Sequence, residues 1–122
     1  MSSSEYKKRQ EQIKRLADFD ADQVMEGREG QPGFTSYTIN KSSMIMCLRN
    51  DKRIIDTNTL IYVMTHELAH IAEKSYGHKA SFWQTFKWLI GEAADFGLYE
   101  PIDYSEEPIE FCGMDINNSV LY

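Results

Sequence analysis

All three histidines of the chain fall in one stretch, at His66, His70 and His78. His66-Glu67-Leu68-Ala69-His70 has the spacing of a helical metal-ligand pair. At about 100° per residue, positions i and i+4 lie about 40° apart on one helix face. Two imidazoles so placed aim at one point, as a tetrahedral Zn²⁺ requires. Glu67, one residue round from His66, can reach a metal-activated water without ligating. This is the HExxH arrangement, with two ligands and a general base on one helix.

His78 adds a length argument. Were the helix to continue, His78 would lie about 12 Å beyond His70 along the axis. A Zn–N bond of about 2 Å cannot bridge that gap. The helix must therefore stop and the chain turn back, and Gly77 stands where a left-handed break is expected. Taken singly, each residue has a plainer reading: His66 and His70 as half-buried helix residues, His78 as a cap or surface residue, Glu67 as a solvated glutamate. Their coincidence with a breaker favours the metal site.

The elements that must position these residues are legible around them. Asp56, Thr57 or Asn58 can N-cap a helix running to about Ser75. Leu60, Ile61, Val63, Met64, Leu68, Ala69, Ile71 and Ala72 make it apolar nearly all round, the pattern of a helix buried in a core. Upstream, Tyr37 to Ile39 and Met44 to Leu48 are β-prone runs separated by polar residues, so a hairpin is expected. Downstream, Ser81 can start a helix carrying Phe82, Phe86, Leu89 and Ala93 on one stripe, with Trp83 and Trp88 adding core bulk and Gly97 as its stop. Glu5 to Glu26 read as an interrupted helix with an Ile13, Leu16, Ala17, Phe19 stripe. Gly27, Gly30, Pro32 and Gly33 mark a loop. Beyond Gly97 the chain reads as an irregular tail with one short strand at most.

At 122 residues the chain is one domain, and 42% apolar content excludes a wholly disordered one. No apolar run is long enough to span a membrane, and the first residues lack the apolar segment of a signal peptide. Cys47 and Cys112 lack CxxC spacing and fit a reducing compartment, with a disulfide between them the less expected reading, so a cytoplasmic or nuclear protein is expected. The net charge is −6. Lys7, Lys8, Arg9, Lys14 and Arg15 make the N-terminus locally basic, whereas no Lys or Arg follows Lys87. Such a surface repels phosphate, so intrinsic nucleic-acid binding is expected to be weak or absent.

HELAH with a third histidine after a short break, then Gly77-His78-Lys79-Ala80-Ser81-Phe82-Trp83, resembles the WLM metalloproteases, relatives of the SprT/Spartan group. In that pattern an HExxH and a spacer are followed by H-x-x-x-F; His66, Glu67, His70 and His78 match it, and Phe82 takes its apolar position. The stretch from Gly97 to Tyr104, with Phe111 to Met114, looks like short single-domain members from large DNA viruses and some protists. The resemblance covers about residues 34 to 116. It implies an α+β, minimal zincin-like domain: a small β-hairpin or sheet packed on the HExxH helix, with flanking helices, its Met44 to Leu48 strand being the cleft edge on which an extended peptide pairs. Residues 1–33 then form an N-terminal helix and loop, and 34–116 the metalloprotease core.

The resemblance further implies a zinc metalloprotease with Zn²⁺ on His66, His70 and His78. Glu67 would be its catalytic base, a protein or peptide its substrate, and removal of proteins crosslinked to DNA its role in characterised relatives. The chain departs from the pattern in its longer spacer between His70 and His78, and in lacking the DNA- or ubiquitin-family-binding tails of the repair proteases. Tyr37, Tyr99 and Tyr104 are candidates to assist the oxyanion, with core packing as the plainer reading of each. A monomer is expected. Two other classes stay open: a zinc-binding interaction module without turnover, and a metallohydrolase acting on something other than protein.

Overall fold

In a computed structural model of the chain, residues 2–26, 37–39, 41, 43–50, 53–73, 77–111 and 114–116 are described. The helices are α1, Ser3–Asp18, α2, Thr57–Ala72, and α3, Ala80–Asp95, with α2 central among the described residues. Asp56 N-caps α2, its carboxylate accepting from the Thr59 backbone N–H at 2.9 Å and from the Thr59 hydroxyl. No residue of α2 after Thr57 is fully exposed, as the all-round apolar pattern requires.

Each side of α2 has its own cover. Strands β1 (Val24–Glu26), β2 (Tyr37–Ile39) and β3 (Ser43–Met46) form a sheet in the order β1-β3-β2. Met44 and Met46 of β3 pack with Ile71 of α2, and Leu16, Phe19 and Val24 close that cluster. Across α2, Tyr62 and Ala69 pack with Phe82, Phe86 and Ile90 of α3 and with Tyr99 and Tyr104 beyond it. Two short hairpins complete the domain: β4 (Arg49–Asn50) with β5 (Arg53–Ile54), and β6 (Ile109–Phe111) with β7 (Met114–Ile116). The molecule is thus a small α+β domain.

Several expectations change here. Val24–Glu26 is a strand, not the end of an N-terminal helix, because it pairs in parallel with β3, with Val24 opposite Met44 and Glu26 opposite Met46. That pairing makes β3 the central strand rather than the cleft edge, since β2 holds its other side in antiparallel register, with Tyr37 opposite Ile45. The edges among the described residues are β1 and β2, and β2 is the one packed beside α2. The tail carries a hairpin where one strand at most was expected. Cys47 is disulfide-bonded, the less expected of the two readings. It packs with Phe111, the residue before the chain's other cysteine, Cys112, which lies outside the described residues. No described helix is long and apolar enough to cross a membrane.

Candidate metal centre

The site is built where α2 and α3 approach each other. Helix α2 ends at Ala72, earlier than expected, and Glu73 takes extended backbone angles, its N–H bonded to the Ala69 carbonyl. The chain returns through Gly77 at φ +85°, the left-handed conformation in which a Cβ is disfavoured. His78 follows at once, and α3 starts two residues later with Lys79 as its N-cap.

This reversal brings the three histidines together. His78 Nε2 lies 3.1 Å from His70 Nε2 and 3.3 Å from His66 Nε2, and all three ligand atoms fall within 4.8 Å of one another. Nitrogens bound at about 2.0–2.1 Å around a tetrahedral ion stand about 3.3 Å apart. The donor set therefore fits one metal ion. Glu67 is 4% exposed, and its Oε2 lies 3.9 Å from His66 Nε2, beside the point on which the rings converge.

The protonation states agree with ligation. Burial pushes His66 down to about 4, with His70 and His78 adding to the effect. His70 is also pushed down to about 4, by burial first, then by His78 and Lys41. Near neutral pH both rings are uncharged, the form that coordinates a metal.

Phe82 organises the rings. It is fully buried, stacks on His70 at 4.2 Å and 22°, and meets His66 and His78 edge-on at 5.0 and 4.9 Å. Its place in α3 is the apolar position of H-x-x-x-F. Trp83 was read as core bulk but is 41% exposed at the rim of the site. The α3 stripe itself explains this: Phe82 and Phe86 face inward, and Trp83 is about 100° round from Phe82.

Behind the site, polar groups hold the C-terminal end of α2. Lys41 Nζ donates to the His70 carbonyl, and Arg15 Nη1 to the Ala72 carbonyl at 2.8 Å. These cations satisfy carbonyls that a helix end leaves unpaired, at the negative end of its dipole. Lys41 adopts φ +57°, and burial pushes its ammonium down. Next to it, Thr85 Oγ1 donates to the buried Glu73 carboxylate at 2.9 Å and accepts from Gln12 Nε2 at 2.9 Å. Buried polar residues on or beside apolar helix faces gave no signal in the sequence, so the roles of Gln12, Glu73 and Thr85 are seen only in the structure, as is that of the partly buried Lys41 in the polar run before β3.

Of the three tyrosine candidates, Tyr99 and Tyr104 are buried around Tyr62, with ring centroids 5.8 and 4.9 Å from it. Burial pushes both hydroxyls up. The side chain of Tyr37 lies outside the described residues.

No family model matches the chain. It is 40% identical over 91 residues to an uncharacterized protein of Acanthamoeba polyphaga mimivirus, covering 72% of this chain and 46% of that protein. It is 38% identical over 74 residues to one from Invertebrate iridescent virus 6, covering 57% and 42%. A third, from Invertebrate iridescent virus 3, is 40% identical over 68 residues, covering 54% and 43%. The chain thus spans less than half the length of these relatives. No solved structure matches it significantly.

Proposed function

We propose that this chain is a zinc-dependent metallopeptidase of zincin type, similar to the WLM proteases. The observation that carries the reading is the convergence of three imidazole nitrogens with the Glu67 carboxylate beside them. Three protein ligands leave a fourth position open, whereas a structural zinc is held by four. His66, His70 and His78 would hold the ion. When bound, zinc polarises the scissile carbonyl and acidifies a water molecule.

The chain's own residues do the rest. Glu67 takes the proton from the water and passes it to the departing amine. Its burial keeps bulk water from competing for that transfer. Phe82 keeps the ligand rings in register, and the low proton affinity of His66 and His70 keeps them ready to coordinate. An extended peptide is taken to pair along β2, the sheet edge beside α2. Nucleic-acid affinity is weak in this reading. Of the basic N-terminal stretch, Arg9 is turned inward over the Trp88 ring, 4.7 Å from its centroid, and Arg15 is spent on the Ala72 carbonyl.

The test compares digestion of an unfolded protein by the zinc-loaded chain and by its Glu67→Gln variant. The variant should keep one zinc per chain and lose about 10²–10⁴-fold in activity. Full activity in Glu67→Gln would remove the proposed base. Stoichiometric zinc with no turnover in the unaltered chain would favour the binding-module reading.

A further inference from the structure

Among the large apolar side chains left exposed on the described surface, Trp83 alone stands against the metal-ligand rings. Its ring stacks on His78 at 5.7 Å and 28°, and meets His66 edge-on at 6.0 Å. The others lie elsewhere: Tyr6 and Ile13 in α1, Met25 in β1, Ile54 in β5, and Phe96 and Leu98 past the far end of α3. At 41% exposure the Trp83 ring is open to a ligand while it touches two of the ligand histidines, and that position, rather than its exposure, sets it apart.

Its neighbours on the helix are also informative. Lys79 and Lys87 stand four residues before and after Trp83, and both are exposed. At about 100° per residue, the three positions share a stripe about 80° wide. Neither lysine is paired with an acid among the described residues. In a chain of net charge −6, with no Lys or Arg after Lys87, this is a local cationic patch around an aromatic ring. Such a patch suits carboxylates on both sides of a bulky apolar group. Two point charges suffice for a short acidic segment, whereas a nucleic acid needs an extended basic track that the rest of this surface would oppose.

We propose that Trp83, Lys79 and Lys87 form a specificity platform beside the metal centre, selecting peptide segments that carry a bulky apolar side chain flanked by acidic residues. The proposal rests on the peptidase reading for its place in the reaction, but its binding step can be tested separately. In a Glu67→Gln, Trp88→Phe chain loaded with zinc, Trp83 is the sole tryptophan, and its fluorescence reports occupancy. The probes are peptides with Phe between glutamates, Ala between glutamates, and Phe between lysines.

The Glu-Phe-Glu peptide should bind most tightly, about tenfold better than the lysine-flanked one, as expected for two screened ion pairs replaced by repulsions. Lys79→Glu with Lys87→Glu should reverse that order. Trp83→Ala, followed by a labelled peptide, should erase the advantage of Phe over Ala. In the active chain, Trp83→Ala should raise KM for the Phe peptide more than for the Ala peptide, the sign of binding lost at that side chain. Equal binding of all three peptides, or no binding of any, overturns the platform. A single-stranded oligonucleotide binding more tightly than the Glu-Phe-Glu peptide at the same salt also overturns it. The two readings fail differently. Cleavage without preference sinks the platform and leaves the peptidase, while selective binding without cleavage sinks the peptidase and leaves the platform.

Discussion

At the scale of single residues, the site depends on one ring that is neither ligand nor base. Phe82 touches all three histidine rings and is fully buried. Phe82→Ala should lower stability by about 3–5 kcal/mol, as for other large-to-small core changes, and weaken metal binding beyond what stability alone explains. Phe82→Leu, which keeps most of the volume, separates the two effects. If calorimetric zinc affinity stayed unchanged in both variants while stability fell, the ring would be packing alone. Protonation gives a second expectation. His66 and His70 have folded values near 4, against an ordinary value of 6.5, so between those limits the unfolded chain binds more protons. The metal-free fold should have this contribution in full above pH 6.5 and lose it as pH falls toward 4. Thermal melts of chelator-treated protein across that window test it, and a His66→Gln variant should show a shallower decline. An unchanged slope would mean that His66 is already solvated.

At the scale of elements, α1 is fastened by polar contacts more than by oil. Gln12, Thr85 and Glu73 join α1, α3 and the end of α2 through one buried carboxylate. Thr85→Val keeps the shape but removes the hydroxyl, so the Glu73 carboxylate loses a donor and Gln12 an acceptor. About 1–3 kcal/mol of destabilisation is expected, read from denaturant midpoints. A loss below about 0.5 kcal/mol would show that water replaces the hydroxyl. The same elements show what the sequence could convey. A cap among Asp56, Thr57 and Asn58, the break at Gly77 and the stop at Gly97 were legible because caps and left-handed turns are local chemistry, and the structure selects Asp56. Gly97 closes α3 at φ +76°, its N–H bonded to the Ala94 carbonyl and that of Leu98 to the Ala93 carbonyl. Strand order was not legible. Nothing in Val24–Glu26 announces a parallel partner about twenty residues away, and that non-local pairing made β3 central and left β2 as a sheet edge. The buried polar cluster was hidden for a related reason, since Gln12 lies on the inward face only because Glu73 and Thr85 meet it there.

At the scale of the whole molecule, charge and covalent linkage divide the chain unevenly. The cations that carry hydrogen bonds, Arg9, Arg15 and Lys41, gather behind α2, while the stretch after Lys87 is wholly acidic or neutral. The disulfide at Cys47 lies on the sheet side, next to Phe111, away from the histidines. His66 and His70 ride on a helix with no fully exposed position beyond its first residue, whereas His78 is exposed and follows a left-handed glycine. The three ligands therefore differ in how readily each can let go. A metal ion leaving this site should part first from His78, because that ring is exposed to solvent, while freeing His66 requires α2 itself to come out of the core. Exchange should then be gated from one side, with dissociation much faster than global unfolding. Stopped-flow transfer of zinc to a chelator would measure it, alongside amide exchange in α2. His78→Ala should speed release far more than it loosens α2, and a chelator-driven release rate equal to the unfolding rate would overturn the order. Metal occupancy would then be decided at the one exposed ligand, on a timescale set apart from the lifetime of the fold.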